Sequence, residues 1–270
     1  MVKYYLLKVL SRVILVAFLF FCHNSGVSAA QISKTLDNDT KITPPGFIVV
    51  AWSEIPTFKK GTVITLNMYG EVLEGILAED VDLPYETGRT QNSIKPTAMA
   101  YTPPAFIYIP SDTKPINRVL PFKGGTKVTF NVMGQVIRGT LNDSTQNIVL
   151  NPTNHIAVSE GEISFHKNGM LALCRLANES YLRPVGWSQI LTENFTDAMA
   201  CSGFVEFKAG KPLLLNDKGE VIKGTLNKDT KLRSVTKLLL GDTVVTEVKA
   251  FEAGTTVEFD ENGIAVKASK

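Results

Sequence analysis

The chain has 270 residues, 44% of them hydrophobic, and its 28 Lys and Arg against 26 Asp and Glu give a formal net charge of +2. A chain of this length can bury the core of one domain or two lobes. The basic residues form no block, which argues against a nucleic-acid partner and against a polybasic membrane-binding patch.

Residues 1–30 have the features of a secretory signal peptide. Three basic residues precede an apolar run at 13–21 that is too short to span a bilayer, and small residues end the segment. We predict cleavage after Ala29 or Ala30 and export to the periplasm, the cell surface or the medium, with a retained anchor as the alternative. Cleavage leaves 25 basic against 26 acidic residues, a net charge near −1. No later apolar run has transmembrane length, so we expect no stable membrane span in the mature chain.

A motif of the form F-x2-G-[TK]-x-[VIL]-x-[FL]-[ND]-x2-G dominates the rest of the chain. Its four clear copies lie at 58–80, 122–143, 207–229 and 251–266, and a degenerate copy lies at 161–176. A chain built from one repeated unit buries its core by stacking neighbouring units.

Each copy has the pattern of a β-hairpin. In the second copy, 126–130 is rich in β-branched residues and predicts a strand, and 135–141 predicts its partner. The intervening Asn-Val-Met-Gly at 131–134 favours a type I turn whose glycine is left-handed. The expected register puts apolar residues on both faces, with Phe130 and Val136 on one and Ile137, Gly139 and Leu141 on the other. The hairpins should then pack on both faces.

The copies define the domain organisation. We predict an N-terminal linker at 31–42, two tandem hairpin units of about sixty residues at 43–150, and a degenerate unit with two further hairpin repeats at 151–270. The fold class is all-β, with hairpins stacked as a solenoid-like array or as two small antiparallel-sheet lobes.

The sequence offers little catalytic chemistry. After cleavage only His155 and His166 remain, and no zinc-binding spacing, nucleophile elbow or phosphate-binding glycine loop is present. Cys174 occupies the position of a second recurring glycine, so repeat packing explains it better than nucleophilic chemistry with His166. We therefore predict no enzyme activity, no metal and no cofactor. Export permits a disulfide between Cys174 and Cys201, and both the paired and the free state stay open.

Four aromatic residues are the candidates for contact with a ligand. Aromatic ring faces suit sugars, and the alternative is that the same side chains belong to the hydrophobic core. The candidates are Trp52, Tyr69, Tyr108 and Trp187.

The piece Phe-Asn-x2-Gly-x-Val-x2-Gly at 130–139 resembles the hairpin unit of bacterial choline-binding and glucan-binding cell-wall repeats. In that family aromatic residues between successive hairpins hold the ligand. The longer G-T-L-x2-D-T segment, as at 224–230, is similar to exported bacterial repeat proteins without an assigned activity, which implies a cell-envelope setting.

These observations give two functional expectations. The first is a non-catalytic protein of the bacterial cell envelope that binds wall or surface polysaccharide or a surface protein. The second is a structural surface protein that associates with copies of itself through exposed strand edges.

Overall fold

The computed structural model describes residues 31–47, 54–85, 119–151, 154–189, 203–238 and 244–269. These residues form strands, turns and a short 3-10 helix at Trp187–Gln189, and no α-helix occurs among them. The prediction of an all-β fold is therefore confirmed. All five predicted hairpins, including the degenerate copy, lie in one large and mostly antiparallel sheet.

The strands are numbered in chain order. The first eleven are β1 (Ile32–Thr35), β2 (Thr40–Lys41), β3 (Thr57–Phe58), β4 (Val63–Leu66), β5 (Val72–Ile76), β6 (Val81–Pro84), β7 (Val119–Phe122), β8 (Lys127–Phe130), β9 (Val136–Leu141), β10 (Gln146–Asn151) and β11 (Asn154–Val158). The others are β12 (Gly161–Phe165), β13 (Leu171–Arg175), β14 (Ser180–Leu182), β15 (Val205–Phe207), β16 (Pro212–Leu215), β17 (Val221–Thr225), β18 (Thr230–Leu238), β19 (Val244–Phe251), β20 (Thr256–Phe259) and β21 (Ala265–Ser269).

The large sheet is a row of hairpins. The hairpins are β4–β5, β8–β9, β12–β13, β16–β17 and β20–β21, and the second strand of each pairs antiparallel with the first strand of the next. The full order is β1-β4-β5-β8-β9-β12-β13-β16-β17-β20-β21-β18-β19, with β6 and β7 joined through β9. Because all first strands run in the same direction, the five hairpin turns lie along one edge of the sheet.

Each hairpin turn is held by its first and fourth residues. In the second hairpin the amide of Gly134 donates to the carbonyl of Asn131 at 3.1 Å, and Gly134 has a φ of 72°. The Asn131 side-chain oxygen accepts the amides of Met133 at 2.9 Å and Gln135 at 3.0 Å. The same side-chain contacts recur in other hairpins at Asn67, Asn216 and Asp260. The turn type predicted from the sequence is thus present.

The prediction that the hairpins pack on both faces is wrong. A register shift between Thr129 and Phe130 places a bulge beside the turn. The bulge changes which residues beyond it point inward, so Gly139 and Leu141 share the buried face with Val136. The opposite face carries charged and hydroxyl side chains.

The core lies on the buried face and repeats from unit to unit. Fully buried phenylalanines precede three of the hairpins, at Phe58, Phe122 and Phe207. Each ring covers the second glycine of its unit: a side-chain carbon on Gly139 would lie 2.6 Å from the Phe122 ring. Packing therefore explains these glycines.

Residues 31–42, which the sequence indicates to be a linker, form the second half of a further hairpin unit. Strand β1 pairs with β4 in the register that β5 uses on β8. Leu36 is buried like the leucine that ends each of the first four hairpins, and its carbonyl accepts the Gly61 amide at 2.8 Å. Asp39 accepts the Lys60 amide at 2.6 Å, a contact that later units repeat. The segment was missed because it lacks the first strand and the turn of the motif.

The chain after a unit crosses to the next hairpin and covers the core. Its residues form parallel bridges with the start of the second strand there, as in the pairs Tyr85 with Val136, Pro184 with Val221 and Ser234 with Ala265. These crossings place Trp187 and its neighbours beside the fifth hairpin.

Candidate functional site

The turn edge of the sheet presents an unusual surface at its first two hairpins. Neighbouring strands lie about 4.8 Å apart, so successive turns are separated by about 10 Å. The middle positions of these two turns hold large apolar side chains that are 62–79% exposed, namely Met68, Tyr69, Val132 and Met133. We call these four residues the apolar tips.

The other three turns have the same backbone form but polar middle positions. These are Lys167 and Asn168, Asp217 and Lys218, and Glu261 and Asn262. Several polar groups there connect neighbouring turns: the Asn168 side chain donates to the Asp217 carbonyl at 2.8 Å, and His166 Nε2 lies 2.9 Å from the Leu215 carbonyl oxygen. The turn itself therefore does not require the apolar residues of the first two hairpins.

Tyr69 and Trp187, two of the four predicted ligand-contacting residues, lie in different parts of the sheet. Tyr69 is 79% exposed at the first turn. Trp187 is half-buried and follows Gly186, where a side-chain carbon would lie 2.2 Å from the amide nitrogen of Gly263 in the fifth turn. The structure thus does not bring these two aromatics into one site. Trp52 and Tyr108 lie outside the described residues.

Trp187 belongs to a group of aromatic and charged side chains beside β14 and β15. The Arg183 guanidinium carbon lies 3.9 Å from the centre of the Trp187 ring and 4.6 Å from that of Phe204. Tyr181 accepts a hydrogen bond from Lys228 at 2.8 Å. Arg183 and Phe204 could not be recognised from the sequence, because they are distant in the chain and meet only when β14 pairs with β15.

Cys174 has no catalytic geometry. It is buried at the position that glycine occupies in the first, second and fourth hairpins, and burial raises the pKa of its thiol to about 12. The His166 ring nitrogen contacts a backbone carbonyl of the neighbouring hairpin. The structure has Cys174 as a free thiol, which is one of the two states that the sequence left open, and Cys201 lies outside the described residues.

The outward face of the first three hairpins carries a row of ion pairs. Lys127 Nζ lies 2.6 Å from Glu74, and Arg138 pairs with Glu162, around a depression of roughly 330 Å³. These side chains are well exposed and already paired, so they contribute little binding energy of their own.

Among the described residues, no group of His, Cys, Asp and Glu side chains is placed to hold a metal ion. Nor does that part of the chain contain a helix with the length and apolar character needed to cross a membrane. No protein-family model, curated protein or solved structure matches the chain.

Proposed function

We propose that this chain is a non-catalytic binding protein of the bacterial cell envelope, and that it docks on an envelope protein through the apolar tips. The observation that carries this proposal is the exposure of four large apolar side chains at turn positions that are polar in the three other hairpins. Exposed apolar groups that the fold does not need mark interaction surfaces.

The chemistry of the tips favours a protein over a sugar. Met68, Val132 and Met133 offer no strong hydrogen-bond donor or acceptor to saccharide hydroxyls. Methionine is flexible and adapts to irregular apolar surfaces, and for this reason it is common at protein-binding sites. Tyrosine adds a ring and one polar group, which suits an interface centre.

The charge around the tips does not favour an anionic membrane. No lysine or arginine occupies the first two turns, and Glu71 lies directly after the first. The mature chain is predicted to have a net charge near −1, so a negatively charged lipid surface would not attract it. Binding of the tips to lipid is therefore an alternative outcome of the test.

The test is co-sedimentation of the predicted mature chain, residues 31–270, with isolated envelopes of its host. The variant exchanges the apolar tips for residues of the third and fourth turns: Met68→Lys, Tyr69→Asn, Val132→Asp and Met133→Lys. We expect at least a tenfold loss of pelleting with an unchanged melting temperature, because Asn and Gly hold the turns. The matched control changes the fifth turn from polar to polar, with Glu261→Lys and Asn262→Asp.

Treatment of the envelopes identifies the class of partner. Protease digestion should abolish the part of the binding that depends on the apolar tips, whereas glycan digestion should leave that part unchanged. Vesicles of lipid alone should not bind the chain through the tips. Unchanged pelleting of the tip variant would refute the role of the tips. Tip-dependent binding that survives protease would overturn the assignment of a protein partner.

A further inference from the structure

Two aromatic rings hold the guanidinium group of Arg183. Its central carbon lies 3.9 Å from the Trp187 ring centre and 4.6 Å from the Phe204 ring centre, distances typical of cation–π contact. Because the rings restrict the rotamers of a long side chain, less conformational entropy remains to be lost when a ligand binds.

Arg183 has no anionic partner among the described residues. The one carboxylate of the paired strand β15 is that of Glu206, and it lies 3.6 Å from Lys228 Nζ, which also donates a hydrogen bond to Tyr181. The Nε atom of Arg183 is buried, and it has no hydrogen-bond acceptor in the described part of the chain. With Lys228 and Glu206 balancing each other, Arg183 leaves one positive charge in excess.

A buried donor without an acceptor costs free energy unless a ligand supplies the acceptor. Guanidinium donors lie in the plane of the group, so rings over its faces leave the edge free for a carboxylate or a phosphate. Trp187 beside it is half-buried, so part of its side chain is accessible, and aromatic rings suit contact with sugars.

We propose that Arg183, Trp187 and Phe204 form a binding site for an acidic saccharide, in which Arg183 takes the carboxylate or phosphate and Trp187 contacts the sugar ring. This site is separate from the apolar tips and does not depend on them. A glycan and a protein can therefore be tested as independent ligands of the same chain.

The chain contains its own control for the effect of charge. Arg233 occupies the position equivalent to Arg183 in the segment after the fourth hairpin, since 226–235 aligns with 176–185. It is also half-buried, and no aromatic ring contacts it within the described part of the chain. The two arginines differ in their surroundings and not in their charge.

Binding is measured by calorimetry and by tryptophan fluorescence with residues 31–270 carrying Trp52→Phe, so that Trp187 is the single reporter. The probes are tetragalacturonate for the carboxylate, mannose 6-phosphate for the phosphate and cellotetraose as a neutral saccharide. We expect at least one acidic probe to bind and quench Trp187, with no response to cellotetraose. The acidic probe that binds identifies the anion.

Substitutions then assign the site. Arg183→Gln should abolish binding, and Arg183→Lys should weaken it about tenfold because an ammonium group cannot reproduce the two-pronged contact. Arg233→Gln should leave binding unchanged. Failure of both acidic probes to bind, or equal losses for Arg233→Gln and Arg183→Gln, would overturn the proposal. Far-UV circular dichroism shows whether each variant is folded. If Arg183→Gln does not fold, the loss of binding in Arg183→Lys tests the proposal instead.

Discussion

At the scale of single residues, two facing core positions differ in size between the units, and the two differences compensate each other. Three of them pair a buried phenylalanine with a glycine that the ring covers, as Phe122 covers Gly139. The third unit instead pairs Val158 with Cys174, at the same two positions of the sheet. A smaller residue on one strand accompanies a larger one on the other, so the pair fills a similar space.

This exchange predicts non-additive stability effects. Gly139→Cys should destabilise the chain by about 1–3 kcal/mol, since the new side chain meets the Phe122 ring. Phe122→Val should destabilise it by at least about 2 kcal/mol through a cavity. The double variant reproduces the third unit, and we expect it to recover about 1 kcal/mol or more of the summed loss. Urea unfolding of the four proteins measures the coupling, and additive losses would contradict the idea that the two residues compensate.

The thiol of Cys174 should be inert in the folded protein. Burial raises its pKa to about 12, so the reactive thiolate is negligible at neutral pH and forms only near that strongly alkaline value. After reduction of the sample, iodoacetamide at pH 8 should leave Cys174 unmodified in the native state and label it in urea, as read by peptide mass spectrometry. Lys59→Cys, at an exposed position, is the reactive control. Rapid labelling of Cys174 in the native state would contradict this prediction and would show that the core around the thiol opens to solvent.

At the scale of elements, the first strand of the sheet carries an exposed lysine, Lys34, at a position whose equivalents in later units are buried and face inward. Lys34 pairs with Ile64 in β4, which is the place that glycine or Cys174 takes in the later units. Among the described strands, β1 has a neighbour on one side only. A charge at an inward position of an edge strand hinders its pairing with another sheet.

We therefore expect Lys34→Val to promote self-association. Removal of the charge makes β1 an apolar, unprotected edge, and sedimentation velocity should detect concentration-dependent dimers or larger species that the unaltered chain lacks. Lys59→Val makes the same change of charge outside a strand and should stay monomeric. If both variants remain monomeric, Lys34 does not protect the edge. Strong association of the unaltered chain would instead favour the self-assembling surface protein.

The hairpins could be predicted from the sequence because their information is local. Asn131 and Gly134 specify a turn between two β-branched segments, and the structure contains that turn. The buried face of β9 could not be predicted, because the bulge interrupts the two-residue period between Val136 and Gly139. Of the candidate sites, Tyr69 was recognised as an aromatic, but the exposure of Met68 follows only from the folded turn.

At the scale of the whole molecule, the described part of the array begins inside a unit. Leu36 is buried, and its amide donates to the Thr62 carbonyl at 3.1 Å, so the first complete hairpin rests on the half unit before it. In repeat architectures the stability of each unit depends on the interface with its neighbours.

A chain that starts at Thr43 should therefore be less stable than the chain that starts at Gln31. Loss of the Leu36 contact alone should lower the free energy of unfolding by about 2–3 kcal/mol, which for a protein of this size lowers the melting temperature by several degrees. Leu36→Ala in the longer chain should reproduce most of the change, and Asp37→Ala, at an exposed position, should not. Calorimetry measures the two melting temperatures. Equal values would show that residues 31–42 do not stabilise the fold and are a linker.

The construction of the turns separates folding from recognition. The first and fourth residues of each turn make the bonds that close it, whereas the two middle residues can be apolar, basic or acidic without a change of backbone form. Along this edge of the sheet, the middle residues of the turns can therefore vary while the backbone that carries them keeps one form. Grafting the Met68–Tyr69 and Val132–Met133 pairs onto the fourth and fifth turns should move the binding surface along the molecule, and exchanging them for other pairs should change the partner while the backbone of the turns stays the same.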